Sequence, residues 1–312
     1  MKLATYRRNS VETVAAVDSG AGTVLDLAAA AALLDQPAAP FFTSMLALID
    51  AGEPALAAAR GLAERWPEAA SARLADVQLL APLPEPRSLR DCLVFERHLL
   101  NAQKQWEKMT GRPPAPISET WYQRPGYYKG NRFSVVGPDA DVQWPSYSEL
   151  MDFELELACV IGLPGKNIAR EDALAHVFGF TIFNDFSARD VQVVERPLGM
   201  GAAKSKDFDT GNALGPWIVT TDEIGDPQAL VMEARVNGER WGGGSSVEMH
   251  HSFADIVSFV SQDETLRGGE VIASGTVPTG CGLELGRFLQ PGDVVELEIE
   301  RIGVLRNRIV RA

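Results

Sequence analysis

The sequence predicts an α+β fold that is rich in β-strands and carries a small N-terminal α/β domain. Alanine-rich helical segments lie near the N-terminus, and after residue 90 runs of Val, Ile, Phe and Leu recur between Gly, Pro and Asp. The chain has 312 residues, of which 46% are hydrophobic. This is enough for one large domain, or for a large domain with a small one.

The N-terminal domain is predicted to cover residues 1–80. Its predicted short strands are residues 2–6 and 13–17, and its predicted helices are residues 27–34 and 54–66. The proline-rich stretch 81–86 disfavours helix and favours extended chain, so we place the domain boundary just before it. The second domain then covers residues 81–312.

The second domain is predicted to be a mixed sheet with few helices. The predicted strands are residues 135–137, 155–161, 178–183, 217–219 and 294–299, and the predicted helices are residues 171–177 and 253–261. Three consecutive glycines, 242–244, follow a hairpin-like stretch, so we expect a flexible loop there rather than a dinucleotide-binding turn.

The charge of the chain excludes some classes of partner. Its formal net charge of −13 repels nucleic-acid phosphates and anionic membrane surfaces. We therefore expect neither nucleic acid nor membrane as a partner. An acidic protein that binds a small anion needs a local cation in its pocket, which makes Lys206 a residue of interest.

The cysteines and the N-terminus bear on the compartment. Cys92, Cys159 and Cys281 are odd in number and too far apart for a CxxC pair. The N-terminus lacks the apolar segment of a secretory signal. We expect a cytoplasmic protein.

Acidic residues alternate with apolar ones over residues 151–161. A single strand with period two would place Asp152, Glu154 and Glu156 on one face, neighbours being about 7 Å apart. If buried, these carboxylates would raise one another's pKa unless a cation lay among them, and a divalent metal is the simplest such cation. An acidic, solvent-exposed strand face is the alternative.

Two further aspartates extend this hypothesis. Asp185 follows a buried apolar run, although it could equally be a helix N-cap, and Asp91 starts another apolar segment. Ligand sets made only of oxygen suit Mg²⁺, Ca²⁺ or Mn²⁺. Zinc is disfavoured, because no His or Cys spacing fits it.

Four motifs, in order, resemble the fumarylacetoacetate hydrolase family over residues 91–311. They are Asp152-Phe153-Glu154-Leu155-Glu156-Leu157, Asn184-Asp185-Phe186-Ser187-Ala188-Arg189-Asp190, Lys206-Asp207-Phe208-Asp209-Thr210 and Ser274-Gly275-Thr276. The resemblance implies a mixed β-sandwich roll and a homodimer. It also implies that Asp91, Glu154, Glu156 and Asp185 ligate a divalent metal, with Mg²⁺ preferred over Ca²⁺ or Mn²⁺.

The resemblance also implies catalytic roles. His98 matches the family's general base, and Glu284 matches the glutamate that orients it. An imidazole can take a proton from water near neutral pH, and a carboxylate stabilises the imidazolium that forms. Lys206 and Gln192 match groups that stabilise an oxyanion or enolate. As isolated residues, His98 could lie on a surface helix and Lys206 in a solvated loop.

Three residues are implied to contact the substrate: Tyr128, Arg196 and Thr276. The sequence departs from the family where Glu107 and Lys108 replace a substrate-binding arginine and where Arg196 replaces a tyrosine. Because the family uses these positions to bind its substrate, the departures bear on which substrate this enzyme accepts.

The expected function is metal-dependent hydrolysis of a carbon–carbon bond in a 2,4-diketo acid of the acylpyruvate, fumarylpyruvate or fumarylacetoacetate type. The expected partner is therefore a small anionic keto acid. One alternative is a decarboxylase, isomerase or hydratase of a small keto acid on the same fold. An alternative of another class is a catalytically silent relative that binds a metal and a ligand.

Overall fold

The computed structural model describes residues 1–8, 10–37 and 39–311, and it confirms the strand-rich α+β fold. The strands are β1 (Lys2–Arg8), β2 (Val11–Asp18), β3 (Thr23–Asp26), β4 (Ser71–Arg73), β5 (Gln78–Leu79), β6 (Leu89–Cys92), β7 (Tyr127–Lys129), β8 (Val135–Val136), β9 (Asp141–Gln143), β10 (Met151–Asp152), β11 (Leu155–Ile161), β12 (Val177–Asp185), β13 (Ser187–Ala188), β14 (Asn212–Thr220), β15 (Val231–Val236), β16 (Glu239–Ser245), β17 (Val271–Ala273), β18 (Val294–Ile299) and β19 (Gly303–Val310).

Helices are fewer and mostly short. The α-helices are α1 (Leu27–Leu33), α2 (Met45–Ala51), α3 (Glu53–Arg65), α4 (Glu96–Thr110), α5 (Glu119–Gln123), α6 (Arg189–Glu195), α7 (Thr221–Ile224), α8 (Phe253–Val260) and α9 (Gly282–Leu285). The predicted helix at 171–177 is a 3₁₀ segment, Arg170–His176. Within the described ranges, no helix combines the length and the apolar character that a membrane crossing requires.

A 12-stranded sheet forms the centre of the molecule, with strand order β4-β3-β2-β1-β14-β12-β11-β17-β6-β7 and with β5 and β8 at its sides. A five-stranded sheet, β16-β15-β18-β19-β9, packs against one face. Helices α1, α2 and α3 pack against the other face. Central strands of the large sheet are therefore buried on both sides.

Strand β11 shows how the sequence produces this arrangement. Leu155, Leu157 and Cys159 belong to the apolar cluster shared with the five-stranded sheet, whereas Ala158 and Val160 belong to the cluster on the opposite face. Successive side chains of a strand point to opposite faces, so a continuous apolar run suits a strand that is covered twice.

The N-terminal segment shares its sheet with the rest of the chain. Strand β1 pairs antiparallel with β14, with Lys2 opposite Val219 and Leu3 opposite Ile218. The segment also shares the apolar cluster that contains Val160. The division into domains 1–80 and 81–312 stays a prediction, and any boundary near residue 81 crosses a continuous sheet.

The expected flexible loop at glycines 242–244 is wrong. These residues belong to β16, which pairs with β15 through a tight turn at Asn237 and Gly238, both with positive φ. A Cβ at Gly242 would lie 2.0 Å from the carbonyl oxygen of Thr279. Glycine is needed here because another backbone passes too close for a side chain.

The single strand expected over residues 151–161 is also wrong. It is divided into β10 and β11, and Glu154 between them makes only an isolated bridge to Cys281. The division turns Asp152 away from Glu154 and Glu156, towards Arg189 and the start of α9.

Candidate active site

Four buried carboxylates meet at the edge where neighbouring strands of the large sheet end. Asp91 lies in β6, Glu156 in β11 and Asp185 at the end of β12, while Glu154 directly precedes β11. One oxygen from each carboxylate can be chosen so that all four lie within 4.8 Å of one another. The four residues expected to ligate a metal are therefore neighbours, and Asp185 is not a helix N-cap.

Several oxygens of this cluster lack a partner. Asp91 Oδ1, Glu156 Oε1 and Asp185 Oδ1 are buried and accept no hydrogen bond from any described residue. Buried carboxylate oxygens are normally paired, and leaving them unpaired is costly. Unpaired oxygens that converge from separate strands form a donor set suited to a hard divalent cation, so the residues fit such an ion.

The electrostatics of the cluster agree with this fit. Burial raises the pKa of Asp91 well above its usual range, and repulsion by Asp185 adds to the effect. Burial followed by repulsion from Asp91 does the same to the pKa of Glu156. Both carboxylates would be stabilised in the ionised form by an additional positive charge.

Glu154 is the member of the cluster that the protein's own cations neutralise. Burial alone would raise its pKa, but Lys206 and Arg189 lower it to about 2. Lys206 Nζ lies 2.5 Å from Glu154 Oε2 and 2.6 Å from Asp185 Oδ2. Lys206 is therefore a buried, paired cation and not a solvated loop residue.

A histidine–glutamate pair lies beside the carboxylates. His98, in the first turns of α4, places Nδ1 2.7 Å from Glu284 Oε1, and both side chains are buried. The other carboxylate oxygen, Oε2, accepts hydrogen bonds from Asn101 Nδ2 at 2.9 Å and from the Thr279 backbone N–H at 3.0 Å. A carboxylate only accepts, so Nδ1 is the nitrogen that donates to Glu284, which leaves Nε2 as the nitrogen available to a ligand.

One pocket of about 440 Å³ brings these groups together. Asp91, Glu154, Glu156, His98 and Lys206 line it, as do the other predicted residues Gln192, Tyr128, Arg196 and Thr276. Asp185 and Glu284 are not part of the lining but contact residues that are. Asp185 pairs with Lys206, and Glu284 contacts His98. Apolar side chains, including Leu99 and Trp106, form another part of the wall.

The Ser274-Gly275-Thr276 motif forms a tight turn after β17. Gly275 has φ +82°, and a Cβ there would lie 2.4 Å from the carbonyl oxygen of Cys92. Its backbone N–H donates to Glu156 Oε2 at 2.9 Å. Glycine thus lets the turn approach β6 and hold a cluster carboxylate, which places Thr276 in the pocket.

Tyr128 and Gln192 have partners that the sequence did not predict. The Tyr128 hydroxyl donates to Asp185 Oδ2 at 2.5 Å. Gln192 Oε1 accepts from Arg189 Nη1 at 3.0 Å. Tyr128 therefore contacts the cluster directly, whereas Gln192 contacts Arg189, which in turn pairs with Glu154.

Sequence reasoning missed two residues of the site. Arg189 is 2% exposed and pairs with Asp152 and Glu154. Asn101 contacts Glu284, and its position three residues after His98 on the same helix was a usable signal. The role of Arg189 was harder to predict, because arginine is usually exposed and the sequence does not indicate that this one is buried.

Comparison with known proteins gives consistent matches. A family model described as fumarylacetoacetate (FAA) hydrolase, C-terminal, matches residues 93–310. Oxaloacetate tautomerase YisK of Bacillus subtilis (strain 168) is 34% identical over 280 residues, which cover 85% of this chain and 86% of that protein.

Two further matches differ in coverage. The mitochondrial oxaloacetate tautomerase FAHD2A of Homo sapiens is 44% identical over 179 residues, 57% of this chain and 56% of that protein, so the match spans about half the length of this relative. The solved structure of fumarylacetoacetate hydrolase (EaFAH) from the psychrophile Exiguobacterium antarcticum has a TM-score of 0.75 at 28% identity, with all of both chains covered.

Proposed function

The chain belongs to the fumarylacetoacetate hydrolase family of enzymes, and from that premise we propose that it interconverts the keto and enol forms of a small anionic 2-oxo acid of the oxaloacetate class. The observation that carries the proposal is one pocket lined by a carboxylate cluster and by a histidine whose Nδ1 is held by a glutamate. The similarity over most of the chain to a protein named an oxaloacetate tautomerase supports the same reaction type.

Asp91, Glu154, Glu156 and Asp185 would hold the divalent ion that this chemistry uses, and we propose Mg²⁺ because every donor is a hard oxygen. When bound, such an ion supplies a Lewis acid that polarises an oxo group and makes the adjacent C–H more acidic. Mn²⁺ and Ca²⁺ have compatible ligand preferences.

His98 is the proposed base. Its Nε2 takes a proton from the carbon next to the oxo group, and the electrons of that C–H bond form the carbon–carbon double bond of the enol. The electron pair of the C=O π bond moves to the oxygen, the imidazolium gives its proton to that oxygen, and the reverse steps return the keto acid. Glu284 stabilises the imidazolium between these steps, because its Oε1 faces Nδ1 at 2.7 Å.

Lys206 and Gln192 are the proposed stabilisers of the negative charge that develops on the oxo oxygen. Both line the pocket. Burial acts to lower the pKa of Lys206, but Asp185 and Glu154 raise it, so the ammonium stays charged at neutral pH. A charged donor that is already fixed in place stabilises an enolate without the reorganisation that water would need.

Arg196 is the proposed contact for a second carboxylate on the substrate. The pocket lining contains three cations, Arg189, Arg196 and Lys206. Arg189 and Lys206 are paired with acidic side chains. No described acidic side chain pairs with Arg196. A guanidinium without a partner suits a carboxylate ligand, and Tyr128 and Thr276 complete the proposed substrate contacts.

Hydrolysis of a carbon–carbon bond is the second candidate, and the His98–Glu284 pair is the observation that favours it. The same imidazole can take a proton from water, which then attacks the carbonyl carbon of a 2,4-diketo acid. Tautomerisation needs no such water, so the two reactions are distinguished by their products.

The test uses metal-stripped protein with Mg²⁺ or Mn²⁺ restored. One arm follows the ultraviolet absorbance of enol oxaloacetate, and the other identifies the products from a panel of acylpyruvates. We expect metal-dependent acceleration of keto–enol exchange without carbon–carbon cleavage. Cleavage of acylpyruvates without any effect on the exchange would replace the proposal by the hydrolase, and inertness in both arms would refute both candidates.

A further inference from the structure

Asp152 is a buried carboxylate near the site that accepts four hydrogen bonds, although it is not one of the four clustered carboxylates. Its side chain is fully buried. Oδ1 accepts from the backbone N–H groups of Phe153 at 2.8 Å and Gly282 at 2.7 Å. Oδ2 accepts from the backbone N–H of Leu283 and from Arg189 Nε, both at 2.8 Å.

Two of these donors belong to α9, the short helix that carries Glu284. This close approach requires glycine at position 282, since a Cβ there would lie 2.5 Å from Asp152 Oδ1 and 2.0 Å from the carbonyl oxygen of Arg287. Asp152 therefore fixes the first turn of α9, and Glu284 is the residue directly after Leu283. The position of the Glu284 carboxylate depends on this turn.

Arg189 extends the connection to the carboxylate cluster. While Nε binds Asp152, Nη2 lies 2.7 Å from Glu154 Oε1. One buried guanidinium thus joins Asp152, which holds the glutamate of the His98 pair, to Glu154, which belongs to the proposed metal site. Both halves of the pocket are tied to one carboxylate.

We propose that Asp152 is a positioning residue that sets the histidine–glutamate pair relative to the carboxylate cluster. It neither hydrogen-bonds to His98 nor lines the pocket, and it acts through α9 on Glu284 and through Arg189 on Glu154. The kinetic part of its test rests on the proposed tautomerase function, whereas the spectroscopic part does not.

The primary variant is Asp152→Asn. An amide keeps one acceptor oxygen but turns an NH₂ group towards Leu283 N–H and Arg189 Nε–H, so donors face donors and the first turn of α9 must shift. The readout is the ring ¹⁵N spectrum of His98 in the metal-free protein. The chain has four histidines, so the signals can be assigned by single substitutions.

In the unmodified chain we expect His98 to be the tautomer protonated at Nδ1, and in Asp152→Asn a mixture of tautomers, with the other three histidines unchanged. Asp190→Asn is the matched control, because Asp190 likewise accepts from backbone N–H groups, two compared with three for Asp152, and from one side chain, Ser148, but makes no hydrogen bond to α9. It should leave His98 unchanged. An unchanged His98 signal in folded Asp152→Asn would overturn the proposal.

The kinetic readout is a loss in kcat of roughly 10- to 100-fold with little change in KM, the usual scale for a group that orients a site residue. With Glu284→Gln as background, Asp152→Asn should cause a smaller loss in kcat, because the route through α9 is already disabled and only the route through Arg189 to Glu154 remains. Equal losses in both backgrounds would also contradict the proposal. Inactivity of the unmodified chain would refute the proposed function and leave the spectroscopic test intact.

If Asp152→Asn does not fold, a smaller change replaces it. An α-hydroxy acid introduced at position 283 turns the Leu283 amide into an ester and removes the single N–H donated to Asp152 Oδ2. We expect a partial shift of the His98 tautomer in the same direction. A wild-type His98 spectrum in this folded variant would overturn the proposal.

Discussion

His98 Nδ1 lies 2.7 Å from Glu284 Oε1, although the two residues are 186 positions apart in the chain. Glu284 is itself held by Asn101 and by the Thr279 backbone, so the pair is fixed before any ligand binds. A prepared base of this kind lowers a barrier to proton transfer without contributing to the affinity for a substrate.

Removal of the base gives the first prediction. We expect His98→Ala to slow keto–enol exchange of oxaloacetate by roughly 10²- to 10⁴-fold, the usual contribution of a general base. KM and the affinity for Mn²⁺ should change little, because His98 is not one of the four clustered carboxylates. His176→Ala, at a half-buried ring that contacts the Leu163 carbonyl and lies outside the pocket lining, is the control. Full activity in His98→Ala would exclude this residue as the base.

The acid–base state of the cluster gives the second prediction. Burial, with repulsion by neighbouring carboxylates, raises the pKa of both Asp91 and Glu156, so without metal they retain protons to higher pH than ordinary carboxylates. A divalent ion requires the ionised forms, so binding releases protons and the apparent affinity falls as the pH is lowered. Calorimetry in buffers of different ionisation enthalpy measures the release. Identical heats in all buffers would contradict the expectation.

Substrate selection gives the third prediction. Arg196→Ala should raise KM for a 2-oxo dicarboxylate by about tenfold, which corresponds to loss of one exposed charge-assisted hydrogen bond. KM for a 2-oxo acid with one carboxylate should be unaffected. Arg8→Ala, on β1 and outside the pocket lining, is the control. An equal effect on both classes of substrate would remove Arg196 from the recognition of the second carboxylate.

Glycine packing gives the fourth prediction. Gly242→Ala should destabilise the protein by about 1–3 kcal/mol, because its Cβ would collide with the Thr279 carbonyl. Gly61→Ala is the matched control, since a Cβ there meets nothing within 4 Å and the site lies inside α3. It should stabilise the protein by about 0.5–1 kcal/mol. Chemical denaturation measures both, and equal effects would contradict the packing argument.

The sequence predicted the strands well where burial on both faces demands continuous apolar runs, as in β11 and β12. It could not predict the break before Leu155, because the alternation of acidic and apolar residues continues through it. At the break, Asp152 accepts from Arg189 and Gly282, and these contacts between distant parts of the chain exist only in the folded protein. Likewise, three glycines suggested flexibility, and only the approach of Thr279 shows why β16 needs them.

The composition of the site was predictable in part. The two-residue period of a strand predicted that Glu154 and Glu156 lie close together. No spacing rule links them to Asp91, or links His98 to Glu284, and those assignments came from the family resemblance. The expected homodimer and cytoplasmic location stay predictions. The preference for hydrolysis came from the same histidine pair that now supports tautomerisation, since a base alone does not decide which proton it takes.

Anomalous diffraction from crystals soaked in Mn²⁺ tests most directly whether the four carboxylates hold an ion. We predict one strong peak within about 2.0–2.3 Å of oxygens from Asp91, Glu154, Glu156 and Asp185, at the usual distance for small hard cations. The double variant Glu156→Gln, Asp185→Asn should lose the peak. A peak elsewhere, or a pocket without one at saturating Mn²⁺, would contradict the account.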